Sequence, residues 1–218
     1  MSPRALRLFA SLTLATAFAP LAVRAADEPA APTAPSAEAT AATDQPALFS
    51  QGSRLIYKLS SGGTLLIEIQ KFPARLGPVT FRFLFSDLGP SGTVTLTEEA
   101  LKNATAIQNY FESGDFTYTD KVCVWLSQKL FADAKAGKPV QLDLGPDGIA
   151  TFKLDEAGSG FMPLTIDAKR YGDFGAISTI LLRSEDGSKT IRVKDDADAP
   201  LVVDMDTGSF TVRLSLHL

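Results

Sequence analysis

The sequence predicts a mainly β fold of the α+β type. The expected architecture is a curved antiparallel sheet, a sandwich or a partly open barrel of about 8–11 strands, with one amphipathic helix over about 97–113 and a short second helix over about 128–136. Three features point there. Apolar and polar residues alternate with a period of two through most of the chain after residue 53. Clusters of Gly, Pro and Asp interrupt those runs at hairpin spacing. One long segment places its apolar residues three and four apart instead.

The first residues belong to a different category. Arg4 and Arg7 make a positive start, Leu8 to Val23 an apolar stretch, and Val23 and Ala25 stand at the two positions that direct cleavage. This is the layout of a secretory signal peptide over 1–25, cut after Ala25 with Ala26 as the alternative. A retained anchor needs about 18 or more strongly apolar residues, whereas this stretch is rich in Ala, Thr and Ser and broken by Pro20. The single cysteine, Cys123, is far from the cleavage region and offers no site for a lipid anchor there. The chain is therefore expected to be exported, to a periplasmic or extracellular location, soluble and without a transmembrane anchor once the signal is removed. The style of signal and tether is that of the bacterial envelope. Residues 26–48 are mostly Ala, Pro, Thr, Ser, Glu and Asp, with too little apolar surface to offset the entropy of ordering, and are expected to be a disordered tether.

Residues 49–218 form the expected single β-rich domain. Its first strands are SRLIYKL (53–59), TLLIEIQKF (64–72) and VTFRFLF (79–85), rich in β-branched and aromatic residues and separated by Gly-Gly and Gly-Pro. In the third, Val79, Phe81, Phe83 and Phe85 share a face opposite Thr80, Arg82 and Leu84. Further strands are expected at 92–96, 140–144, 149–154, 163–168, 176–183, 189–194, 201–205 and 209–218. GPDG at 145–148 and EDG at 185–187 mark two hairpins. An antiparallel meander is the natural assembly of such runs.

The helical segment begins at Thr97, an N-cap followed by Glu98 and Glu99, and sets Ala100, Leu101, Ala104, Ile107 and Phe111 on one face before Gly114. A second helix over 128–136 has Ser127 as its cap and Gly137 as its stop; an alternative start at Asp120 would absorb KVCVWL. The helices interrupt the strands and can cover one sheet face.

Charge and composition exclude several functions. The full chain has a formal net charge of −4; loss of Arg4, Arg7 and Arg24 with the signal leaves 18 basic residues against 25 acidic ones, a net of −7. Such a surface repels phosphate backbones, so nucleic acid is not an expected partner. One cysteine forms no internal disulfide, and Cys123 between Val122 and Val124 reads as a small buried side chain. The only histidine, His217, is penultimate, which leaves no framework for a Ser-His-Asp or Cys-His site or for a zinc site built on His and Cys.

Asp206-Thr207-Gly208-Ser209 behind an apolar run resembles the catalytic loop of aspartic proteases, over Val202–Ser209 only. Those enzymes share a proton between two carboxylates on two such loops. The chain has no second Asp-Thr-Gly or Asp-Ser-Gly, and only nine residues follow Ser209, too few for a flap and a crossed loop. The expected role is a turn between strands. Asp195, Asp196, Asp198, Asp204 and Asp206 are candidate calcium ligands by chemistry, without the ordered spacing of a known calcium loop. Asn103-Ala104-Thr105 matches a glycosylation acceptor but falls on the expected helix. No catalytic residue, cofactor or assigned metal site follows from the sequence.

The expected function is that of an exported, non-enzymatic binding or structural domain, with a small apolar or lipid ligand or an envelope protein as partner. The apolar faces of TLLIEI and VTFRFLF would suit an enclosed cavity or equally a filled core. A curved sheet with a helical cover resembles, in outline and in no motif, the unclosed barrel and helical lid of periplasmic lipoprotein carriers. One alternative is an outer-membrane β-barrel, to which the alternation of Phe210, Val212, Leu214, Leu216 and Leu218 is suited. Another is a hydrolase without a recognisable motif.

Overall fold

Strands β1 (Arg54–Leu59), β2 (Thr64–Lys71), β3 (Val79–Phe85) and β4 (Ser91–Leu96) form an antiparallel meander at the start of a computed structural model that describes residues 50–73, 77–86, 88–166 and 175–217. The expected signal, 1–25, and tether, 26–48, lie outside the described residues. A second meander closes the chain: β8 (Val140–Asp143), β9 (Ile149–Ile166), β10 (Gly175–Ser184), β11 (Thr190–Lys194), β12 (Val202–Asp206) and β13 (Thr211–His217). β13 pairs antiparallel with β1, which fuses the two meanders into one sheet.

Between the meanders lie α1 (Glu98–Asn103), three short strands, β5 (Ala106–Ile107), β6 (Gly114–Tyr118) and β7 (Lys121–Val122), and α2 (Gln128–Lys135). β6 lies parallel to β4 at one edge of the 13-stranded sheet, and β7 lies parallel to β5 at the other. These two edge strands are separated in the chain only by Thr119 and Asp120. A two-residue link between opposite edges requires the sheet to curl until they nearly meet, so the fold is a nearly closed barrel. The end of β13 also runs past β12 to lie parallel to the end of β9, Leu216 beside Thr165.

The mainly β class with two helices agrees with the sequence; the strand count and the first helix differ. α1 stops at Asn103 rather than near 113. Thr97 caps it as expected, its hydroxyl accepting from the Ala100 N–H at 3.2 Å. Beyond Asn103 the run Thr-Ala-Ile-Gln-Asn-Tyr-Phe contains mostly weak helix formers. It finds other backbone partners: Ala106 and Ile107 align with Lys121 and Val122, and the Asp143 N–H donates to the Thr105 carbonyl. α2 matches its expected span, with the Ser127 hydroxyl accepting from the Leu130 N–H and Gly137 at φ +73 after the last turn. The alternative start at Asp120 fails because KVCVWL is not helical: Lys121 and Val122 form a short strand, the chain bends at Cys123 and Val124, and Trp125 bridges to Leu201.

The expected strands at 149–154 and 163–168 fall on one 18-residue strand, Ile149–Ile166, with an irregularity opposite Thr179–Leu181; 167 and 168 lie outside the described residues. At Gly158 the Leu181 side chain packs close to the backbone, so a β-carbon there would lie 2.2 Å from the Leu181 Cδ2 and would displace it. Both expected hairpins are present, across 145–148 and 185–187.

One face of each strand points into the barrel. Leu65, Ile67 and Ile69 on β2 and Val79, Phe81 and Phe83 on β3 are buried, while Arg54, Lys58 and Arg82 stay exposed on the outer face. Trp125 fills the interior at 1 % exposure, its ring 5.6 Å from that of Phe81 and 6.2 Å from that of Phe72. Cys123 is buried beside it, and burial pushes its thiol above the ordinary range.

Candidate functional site

The interior is filled around Trp125 but hollow at one end. A cavity of about 360 Å³ lies where the β1–β2, β8–β9 and β12–β13 hairpins converge. That volume falls within the usual range for small-molecule sites, roughly 300–1,000 Å³. The sheet contributes Tyr57 and Leu59 from β1, Leu65 from β2, Phe85 from β3, and Val202, Met205 and Val212 from β12 and β13. Segment 107–111 supplies Ile107, Tyr110 and Phe111, and the two loops supply Pro146 and Phe210. These walls are apolar because period-two alternation sends every second residue inward.

The placement of Phe111 follows from the early end of α1. Instead of sitting on a helix, its ring stacks at 4.8 Å from Phe83 and 5.7 Å from Phe85. Val124 lines the cavity in a strained backbone, φ +67, which a β-branched residue rarely adopts. The Trp125 N–H donates to the Cys123 carbonyl at 2.7 Å across it, and the Val124 carbonyl accepts from Val202. This tight three-residue turn redirects the chain from the edge strand β7 towards β12.

The polar atoms gather at one side. Asp147, in the GPDG turn, accepts through Oδ2 from the Asn109 amide at 2.8 Å and through Oδ1 from the Ser209 hydroxyl. Its backbone carbonyl accepts from the Lys189 ammonium at 2.7 Å. The Ser209 hydroxyl, then Thr207, Lys189 and Asn109, hold the Asp147 carboxyl below the usual carboxylate range against the opposing effect of desolvation. It is therefore ionised at neutral pH. Gln108 Nε2 donates to the Tyr110 carbonyl, and the buried Tyr57 hydroxyl donates to the Val202 carbonyl at 2.8 Å.

Asp206-Thr207-Gly208-Ser209 joins β12 to β13 as expected of a turn. The Thr207 N–H donates to the Phe210 carbonyl, and Gly208 takes φ +87, which closes a short hairpin loop. Asp206 Oδ1 accepts from the Gly208 N–H at 2.8 Å within its own loop. The residue of this tetrapeptide that reaches the cavity is Ser209.

The candidate calcium ligands are spread over separate partnerships. Asp195 pairs with Lys135 at 2.9 Å, Asp196 with Lys194, and Asp204 with Arg213 at 2.8 Å. Asp196 Oδ1 also accepts from the N–H groups of Asp198 and Ala199, which closes the acidic loop on itself. Among the described residues no three His, Cys, Asp or Glu side chains are placed to share a metal ion. The backbone of His217 ends β13, and its side chain lies outside the described residues.

Sequence reasoning missed Asn109, Asp147 and Val124. GPDG was legible as a turn, but nothing in four turn residues tells that Asp147 will meet Asn109 and Ser209 from distant parts of the chain. No family model matches the chain, and comparison with curated proteins and with solved structures finds no match for it.

Proposed function

We propose that this protein is an exported binding protein whose barrel holds a small, mainly apolar molecule at one end. The supporting observation is the cavity itself: about 360 Å³ walled by aliphatic and aromatic side chains, with a few convergent polar groups on one side. Apolar walls with a small polar cluster are the general form of a ligand site. Strain at Val124 fits this reading, since strained backbone gathers at ligand clamps.

A water-facing exterior is favoured over a lipid-facing one. Arg54, Lys58, Arg82, Arg183 and Arg213 are exposed on the strands, and Arg or Lys on a lipid face costs about 2–4 kcal/mol each at the bilayer midplane. Native mass spectrometry of the mature protein from its own compartment tests the proposal. A co-purified apolar molecule, displaced by Val212→Phe in a folded variant, supports it. A clean apo mass together with no uptake of decanol sinks it.

A further inference from the structure

Among the described residues that line the cavity, Asp147 is the only charged one. Among the described residues no Lys, Arg or His side chain shares the wall with it. Lys189, the neighbouring cation, donates to the Asp147 backbone carbonyl and its charge helps to keep the carboxyl ionised, but it does not line the cavity. Donors from the protein already occupy one site on each carboxylate oxygen, Asn109 on one and Ser209 on the other. Each oxygen retains acceptor capacity, because a carboxylate has about four lone-pair sites. Five aromatic residues, Tyr57, Phe85, Tyr110, Phe111 and Phe210, line the same cavity, and the face of an aromatic ring attracts a cation. Tyr110, 47 % exposed, is the most open of these rings to solvent.

From this charge arrangement, and resting on the cavity reading above, we propose that the ligand is an amphiphile with one apolar chain and a protonated amine head, seated against Asp147. A fatty acid of the same length would bring a second anion to a wall with no cation to receive it. An alcohol would find acceptors but no charge pairing.

The test uses the mature protein at neutral pH with decylamine, decanol and decanoate, each below its micellar concentration, followed by titration calorimetry. Decylamine is expected to bind at least about tenfold more tightly than decanoate, a difference of about 1.4 kcal/mol, with decanol between them. Asp147→Asn should remove the preference of decylamine over decanol; decanol binding that persists, even if weaker, and an unchanged far-UV circular dichroism spectrum show that the variant is folded. Ser209→Ala keeps the carboxylate and should keep the preference for the amine. Decanoate binding as tightly as decylamine, or a preference for the amine that survives Asp147→Asn, overturns the head-group assignment while the cavity reading stands. Binding of none of the three ligands removes the cavity reading itself.

Discussion

Replacing Gly92 with alanine should push the edge strand β6 away from β4. Gly92 on β4 lies opposite Gly114 on β6, and a β-carbon built on Gly92 would sit 1.7 Å from the Gly114 carbonyl oxygen. Contacts under 3.0 Å are essentially never made by real β-carbons, so the edge strand must retreat by at least the 1.3 Å between those distances. The obstacle is backbone, which cannot rotate out of the way as a side chain can. Overpacking of this kind costs about 1–3 kcal/mol. Gly92 does not have positive φ, so alanine also restricts the unfolded chain without local strain, a gain of roughly 0.4–1 kcal/mol. The expected net loss is about 1–2 kcal/mol, read as a lower urea midpoint at an unchanged slope. Hydrogen exchange should quicken first at Gly114–Tyr118, whose ladder to β4 is the one displaced. Gly62→Ala is the control, because that site has φ +92 with open space around it and loses stability through backbone strain alone. A Gly92→Ala variant as stable as the parent, with exchange at β6 unaltered, would refute the close pairing of β4 with β6 described here.

Tyr57→Phe removes the buried hydroxyl that donates to the Val202 carbonyl and should cost about 1 kcal/mol in urea unfolding; no change would mean that this bond contributes nothing. Asp186 accepts from the Ser184 hydroxyl and from the Ser188 N–H and hydroxyl, which together lower its pKa to about 2. Because the folded value lies below the unfolded one near 3.9, its stabilisation is present above about pH 4 and is lost as pH falls through about 2. Asp186→Asn should flatten the acid limb of stability against pH in that window, and an unaltered limb would show that the turn does not use the charge. Cys123, buried with its thiol raised, should resist thiol reagents at neutral pH in the native protein and react fully in urea; rapid native labelling would contradict its burial.

Much of the sheet was legible because its information is local. Val79, Phe81 and Phe83 alternate with Thr80, Arg82 and Leu84, and that alternation alone decides which side faces inward. Ser127 and Gly137 bracket α2, and Thr97 begins α1, through chemistry confined to a single turn of chain. The end of α1 was not legible. The apolar spacing of Ala104, Ile107 and Phe111 fits a helix, yet the backbone at Thr105–Ile107 pairs with residues near 121 and 143, brought there by the rest of the fold. Short strands such as β5 and β7, two residues each, leave almost no pattern to read.

The sequence by itself determined the mainly β class, the hairpins at 145–148 and 185–187, and the role of Asp206–Ser209 as a turn, since turn residues and alternating side chains act over a few positions. Only the tertiary structure decided the barrel's closure, the hollow end beside the filled core, and the meeting of Asn109, Asp147 and Ser209. Those depend on contacts across 38 and 62 positions of chain. Such contacts exist only once packing has fixed where each hairpin ends, and no local preference encodes them.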